Sequence, residues 1–331
     1  MKIEDSNLEK KLFIRLNNLR GICALVVLFS HIWGYTGFVL FVPFNKIVTI
    51  AVAMFFFLSG YGMMRSYDKK KYYLSTIFRE KIPFLLYMSI SAYFVAAFIE
   101  HLIQNLAEGI YINHYTPFSV MKFCTSTNWY VYELICFYLI FAFVKHFLPE
   151  KRQVFYGGVL SFIAFIILYY SGLVQLYYNS IVGFWFGMFC YKQSYLEWTK
   201  RYKKGWIAAI ICLCGAFISM FILERDTILF ALVRNLAAVG AIVLVLYAIQ
   251  RVNVVNVFNQ FLSKISPELY FYHLPVTLLF RSIMSNVYCY IVAVTATSLA
   301  LAIMIGILDR KVQKIIKRGT QNEGSDIKGG K

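Results

Sequence analysis

The chain has 331 residues, of which 60% are hydrophobic and 18% aromatic, with a mean hydropathy of +0.63 and a formal net charge of +17. That composition excludes a water-soluble globule and describes a polytopic membrane protein. The positive charge needs no nucleic-acid partner, because cytoplasmic loops of membrane proteins gather Lys and Arg against anionic inner-leaflet lipids.

Apolar windows predict about ten spans, near 18–40, 46–65, 82–100, 129–148, 153–171, 175–191, 206–223, 228–250, 267–284 and 287–308. The fold class is therefore an all-α transmembrane bundle: a cytoplasmic segment 1–17, a membrane domain 18–308 and a basic tail 309–331, polar and expected to be disordered from Gly319. Of the 33 Lys and Arg, only Lys46, Lys122, Arg225 and Arg281 fall in outer loops and Arg234 within a span, if both termini are cytoplasmic. The polar, basic start followed by a full-length span resembles an uncleaved signal anchor. The seven cysteines follow no metal-ligand spacing; Cys212 and Cys214 point to different faces of one helix, and no metal site or disulfide framework is expected.

The first span holds Arg20 and His31, eleven residues apart. At ~100° per residue they share one helix face, separated by ~16 Å along the axis. Arg20 is expected at the membrane surface and His31 deep inside, with no other ionisable side chain between Asn18 and Leu40. An intramembrane ionisable group is a functional candidate, although a histidine hydrogen-bonded within a bundle is the plainer reading.

The second span ends in Phe55-Phe56-Phe57-Leu58-Ser59-Gly60-Tyr61-Gly62, whose small residues permit close helix approach. Phe78-Arg79-Glu80-Lys81-Ile82-Pro83 leads into the third at the inner surface. A long outer loop, about His101 to Asn128, carries Tyr111, Asn113, His114, Tyr115, Pro117 and Thr127 and suits either a sugar-contacting cover or a structural cap. Trp129, Tyr130 and Glu133 open the fourth span from outside, and Arg234 lies in the eighth from the same side. Glu133 and Arg234 are expected to form a buried pair, and the two aromatics suit sugar stacking or an interfacial belt. Ser266-Pro267-Glu268-Leu269-Tyr270-Phe271-Tyr272-His273-Leu274-Pro275-Val276 opens the ninth, with Tyr270 and His273 on one face.

At these segments the chain resembles the acyltransferase-3 family, polytopic O-acyltransferases of bacterial envelope glycans. Arg20 and His31 match its Arg-x10-His signature, and Phe55 to Tyr61 its Phe-Phe-x-Leu-Ser-Gly-Phe/Tyr segment. Trp129-Tyr130 resembles a Trp-Tyr/Phe-Leu element, and Tyr270 with His273-Leu-Pro-Val a late Tyr-x-x-His-x-Pro-Val element. Arg79 matches the arginine before Pro83, whereas Thr76 stands where an earlier basic residue is expected and Lys81 is the nearest substitute. The resemblance implies acetyl-CoA or another acyl-CoA as co-substrate, no permanently bound cofactor, a glycan or lipid-linked acceptor and a bacterial cytoplasmic membrane. His31 would be general base or acyl carrier. Arg20, Arg79, Lys81, Tyr270 and His273 would face the donor, and Trp129, Tyr130, Glu133, Arg234 and Ser59 the acceptor or the bundle. A flippase for lipid-linked glycan, or a non-catalytic part of a glycan assembly complex, are the competing classes.

Overall fold

The computed structural model describes residues 2–70, 72–107, 129–172, 178, 180–194, 199, 201–224 and 227–326; the loop residues Tyr111, Asn113, His114, Tyr115, Pro117 and Thr127 lie outside them. The helices are α1 (Lys2–Thr36), α2 (Val42–Lys69), the single turn α3 (Tyr73–Thr76), α4 (Ile82–Ala107), α5 (Trp129–Phe147) and α6 (Gln153–Tyr170). They continue with α7 (Val182–Lys192), α8 (Gly205–Ile222), α9 (Ile228–Arg251), α10 (Val257–Lys264), α11 (Ser266–Ile283) and α12 (Val287–Asp326). No strand occurs among the described residues. Seven helices are long and apolar enough to cross a membrane, and the protein is an all-α polytopic bundle. The expected sixth, seventh and ninth spans correspond to the shorter or more polar α7, α8 and α11.

Several boundaries differ from the sequence reading for local reasons. α1 begins in the polar N-terminal segment rather than near Asn18, since Glu, Lys and Leu there favour helix. It stops at Thr36, where Gly37 takes φ +64° and Thr36 Oγ1 accepts from Phe38 N at 3.2 Å. α12 carries its backbone past Leu308 to Asp326, so the tail expected to be disordered from Gly319 is helical over its first part. α7 starts at Val182 rather than Gln175 because Asn235 of α9 holds the preceding chain. Its amide donates to Tyr178 O at 2.8 Å and accepts from Val182 N at 3.3 Å. The amphipathic α10, between the eighth and ninth spans, is an element the periodicity reading lacks.

The chain divides into two compact units, residues 1–27, 46–71 and 137–264 in one, residues 28–45, 72–136 and 265–331 in the other. In the first, α8 packs on α9, and α7 packs on α6 and α9. α2 and α7 approach through glycine. A Cβ on Gly60 would overlap the Phe184 carbonyl, and one on Gly183 or Gly187 would overlap the Ala53 or Phe57 carbonyl. The Gly183-x-x-x-Gly187 spacing makes one smooth stripe, the means by which helices associate where no hydrophobic driving force exists between them. Gly62, by contrast, meets nothing. Arg15 secures the end of α9 by donating to Ile249 O at 2.8 Å. In the second unit α11 packs on α4 and α12. Tyr290 Oη donates to Thr277 O at 3.2 Å, and Gly306 leaves room for the Glu268 carboxyl.

Gly187→Leu should reduce the detergent-solubilised folded protein, at a cost above about 2 kcal/mol for forced overpacking. Gly62→Ala should melt as wild type. Size-exclusion profiles and thermal melts of the two variants check this.

Candidate active site

His31 lies near the C-terminal end of α1, in a run that is otherwise apolar apart from Ser30, whose hydroxyl donates to Asn45 Oδ1 at 3.4 Å. Leu28 and Ile32, four apart, share a buried face of α1, and His31, ~100° round the helix from Ile32, is exposed. α1 is unbroken from Lys2 to Thr36, so Arg20 and His31 keep their eleven-residue spacing on a single helix.

α11 supplies the facing group. Pro267 in its first turn has no N–H to leave unbonded, and Glu268 follows it. Tyr270 and His273, three apart, share a face. The His273 ring lies 5.0 Å from that of His31, centre to centre, tilted by 44°. Its Nδ1 is 3.0 Å from Leu269 O, one turn back, while its Nε2 is buried without a hydrogen-bond partner among the described residues. Pro275, two residues on, interrupts the helical ladder locally.

A line of rings continues from there. Tyr270 is 6.2 Å from His273, and Tyr130 of α5 is 5.2 Å from Tyr270. Tyr130 and Trp129 are both buried at the start of α5. One turn on, Glu133 lies in the electrostatic neighbourhood of Tyr270, and is 7% exposed. Neither carboxyl oxygen has a hydrogen-bond partner among the described residues. Arg234 donates to Thr49 Oγ1 at 2.5 Å, and its guanidinium lies 5.7 Å from the Phe230 ring centre.

The remaining candidates fall into two groups. Arg20 is half-buried and makes no hydrogen bond or ion pair among the described residues; its neighbours are Cys23 and the hydroxyl of Tyr138, which also faces Ser59. Tyr138 is thus a residue the motif reading missed, and its only signal was its lying five residues past Glu133 on a span already thought functional. Arg79 and Lys81 lie in a π-helical segment, Ile77–Lys81, closed by a bond from Ile82 N to Ile77 O. Pro83 explains the widened turn, since its ring would collide with the carbonyl four residues back in a regular α-helix. Such π segments recur at functional sites. Arg79 is exposed, and Lys81 sits 5.7 Å from the Tyr73 ring.

A second polar cluster also escaped the sequence reading. Tyr272 shares a hydrogen bond with Ser91, and the buried Glu268 and Asp309 lie near them, with Tyr87 facing Asp309. Asp309 was legible only as the end of an apolar run.

The protein is thus an all-helical membrane bundle in which the imidazoles of His31 and His273 lie side by side. The chain belongs to the acyltransferase-3 family, whose acyltransferase domain matches residues 13–307. No curated protein and no solved structure matches it.

Because Glu133 makes no described hydrogen bond, Glu133→Gln should melt in detergent at or above the wild-type temperature; a marked fall would reveal a charged partner. Differential scanning fluorimetry checks this.

Proposed function

We propose that this protein transfers an acyl group, acetyl in the first instance, from acyl-CoA to a hydroxyl of a lipid-linked or extracytoplasmic envelope glycan in a bacterial cytoplasmic membrane. Membership of the acyltransferase-3 family supports acyl transfer as the reaction. The observation that carries the reading is the accessible His31 imidazole set into an apolar helix and opposed by His273.

His31 is the general base. An imidazole, with one nitrogen bearing a lone pair and the other a proton, suits a group that must take and return a proton within one reaction cycle. One ring nitrogen accepts the proton of the acceptor hydroxyl as its oxygen bonds to the thioester carbonyl carbon. The tetrahedral intermediate then loses the C–S bond, and the departing thiolate takes the proton back from the imidazolium. The products are an ester and free CoA, with no net proton change.

Donor binding falls to cationic groups. The guanidinium of Arg20, half-buried and unpaired among the described residues, suits an oxyanion through bidentate hydrogen bonds. Arg79 and Lys81, two residues apart on the π segment, are further cationic candidates for phosphate contact. The basic inner segments support a cytoplasmic side for the donor, with both termini inside. Tyr130, Trp129 and Tyr270 offer ring faces to a sugar, and Glu133 a hydrogen-bond acceptor. Ser59 and Arg234 support the bundle through Tyr138 and Thr49.

His31→Ala should abolish transfer of label from radiolabelled acetyl-CoA to membrane glycan, while the variant still inserts and purifies as wild type. Arg20→Ala should raise the KM for acetyl-CoA at least tenfold with a smaller effect on kcat. Wild-type turnover in His31→Ala would remove the mechanism.

A further inference from the structure

Acyl transfer as written returns its proton to the leaving thiolate, so the reaction itself has no use for a second base. α11 nevertheless buries a second imidazole, His273 at 4% exposure, beside that of His31. Its two nitrogens have different surroundings. Nδ1 meets the carbonyl of Leu269 at 3.0 Å, and a carbonyl only accepts, so Nδ1 carries the proton. An imidazolium held in hydrocarbon with no carboxylate bonded to it is strongly disfavoured, so the ring is neutral and Nε2 holds the lone pair. That acceptor is buried and has no hydrogen-bond partner among the described residues, a state that costs about 1–3 kcal/mol.

The direction of the lone pair follows from the ring. Nδ1 is tied back to α11, and Nε2, on the opposite side of the imidazole, points off the helix. The neighbouring ring of His31, 5.0 Å away by centres, carries an N–H in either neutral tautomer.

We propose that His273 is the positioning residue of His31: the two rings lie side by side but unbonded in this structure, and a turn of the exposed His31 side chain about χ1 and χ2 brings one of its ring nitrogens to donate to the bare Nε2, fixing the tautomer whose other nitrogen presents a lone pair to the attacking hydroxyl. Leu269 O sets His273, and His273 sets His31. A neutral imidazole thereby does what a carboxylate does beside a catalytic histidine in water-exposed sites. It suits the membrane because no unpaired charge is buried in the resting state. The inference rests on His31 being the general base, and the two are separable by experiment.

The test uses the full chain in nanodiscs with 15N-labelled histidine, in wild type, His273→Leu and His273→Gln, with the His31 signals identified by their loss in His31→Ala. Wild type should show one neutral His31 tautomer, His273→Leu a mixture, and His273→Gln, whose amide oxygen reaches the former Nε2 position, largely the wild-type state. In parallel, kcat should fall at least tenfold in His273→Leu with the KM for acetyl-CoA within twofold, and recover most of the loss in His273→Gln. An unchanged His31 spectrum in His273→Leu overturns the pairing, even if His31→Ala is inactive. A shifted tautomer together with an active His31→Ala keeps the pairing and removes the general-base reading instead.

Discussion

A polar group inside a bilayer has only protein to bond to, and the constraint shapes every helix in this chain. His31 is the sharpest case. Its ring is neither lost among apolar side chains nor matched with a carboxylate; it is accessible and opposed by the buried ring of His273. Tyr270 and Tyr130 extend that contact into a file of rings that ends near Glu133. Because the file draws on α1, α5 and α11, each of these helices must hold its rotation about its own axis, since a turn of one residue would swing its ring by ~100°.

Holding rotation in lipid calls for close backbone contact, and the same chain supplies it with glycine. The Gly183 and Gly187 stripe brings the short α7 against α2, where side chains of ordinary size would separate the helices. α7 itself is kept short by the Asn235 amide, which bonds the chain just ahead of it and substitutes for a missing turn of helix. One buried polar side chain therefore fixes a helix start, satisfying backbone groups that lipid would leave bare. Gly306 plays the matching part in the other unit, leaving room beside α12 for the Glu268 carboxyl.

The long apolar helices were plain in the sequence because twenty apolar residues without charge have few other uses. Their ends were not, since these are set by distant partners: Asn235 for α7, and a glycine of positive φ for α1. The pairing of His31 with His273 lay beyond sequence periodicity, which places residues on faces but says nothing of which faces meet. Arg234 shows the same gap in reverse. Its span and side were readable in the sequence, but not that its guanidinium would donate to the Thr49 hydroxyl of α2. The π segment before Pro83 was latent in the proline, whose clash with a regular helix is predictable, but the side chains it presents depend on the register actually adopted.

Unpaired charge gives the most direct line from these contacts to chemistry. Arg15 donates to the last carbonyls of α9, Arg65 pairs with Glu9 at 3.5 Å, and Lys192 with Glu150 at 2.7 Å. Arg20, also half-buried, has no such bond among the described residues. A guanidinium cannot shed its proton to escape the cost of lost water, so it must gain an anion or retain its own hydration. On the reading proposed above, the phosphates of acyl-CoA supply that anion only while substrate is bound. The bound complex would then be the better compensated state of the helix that bears Arg20.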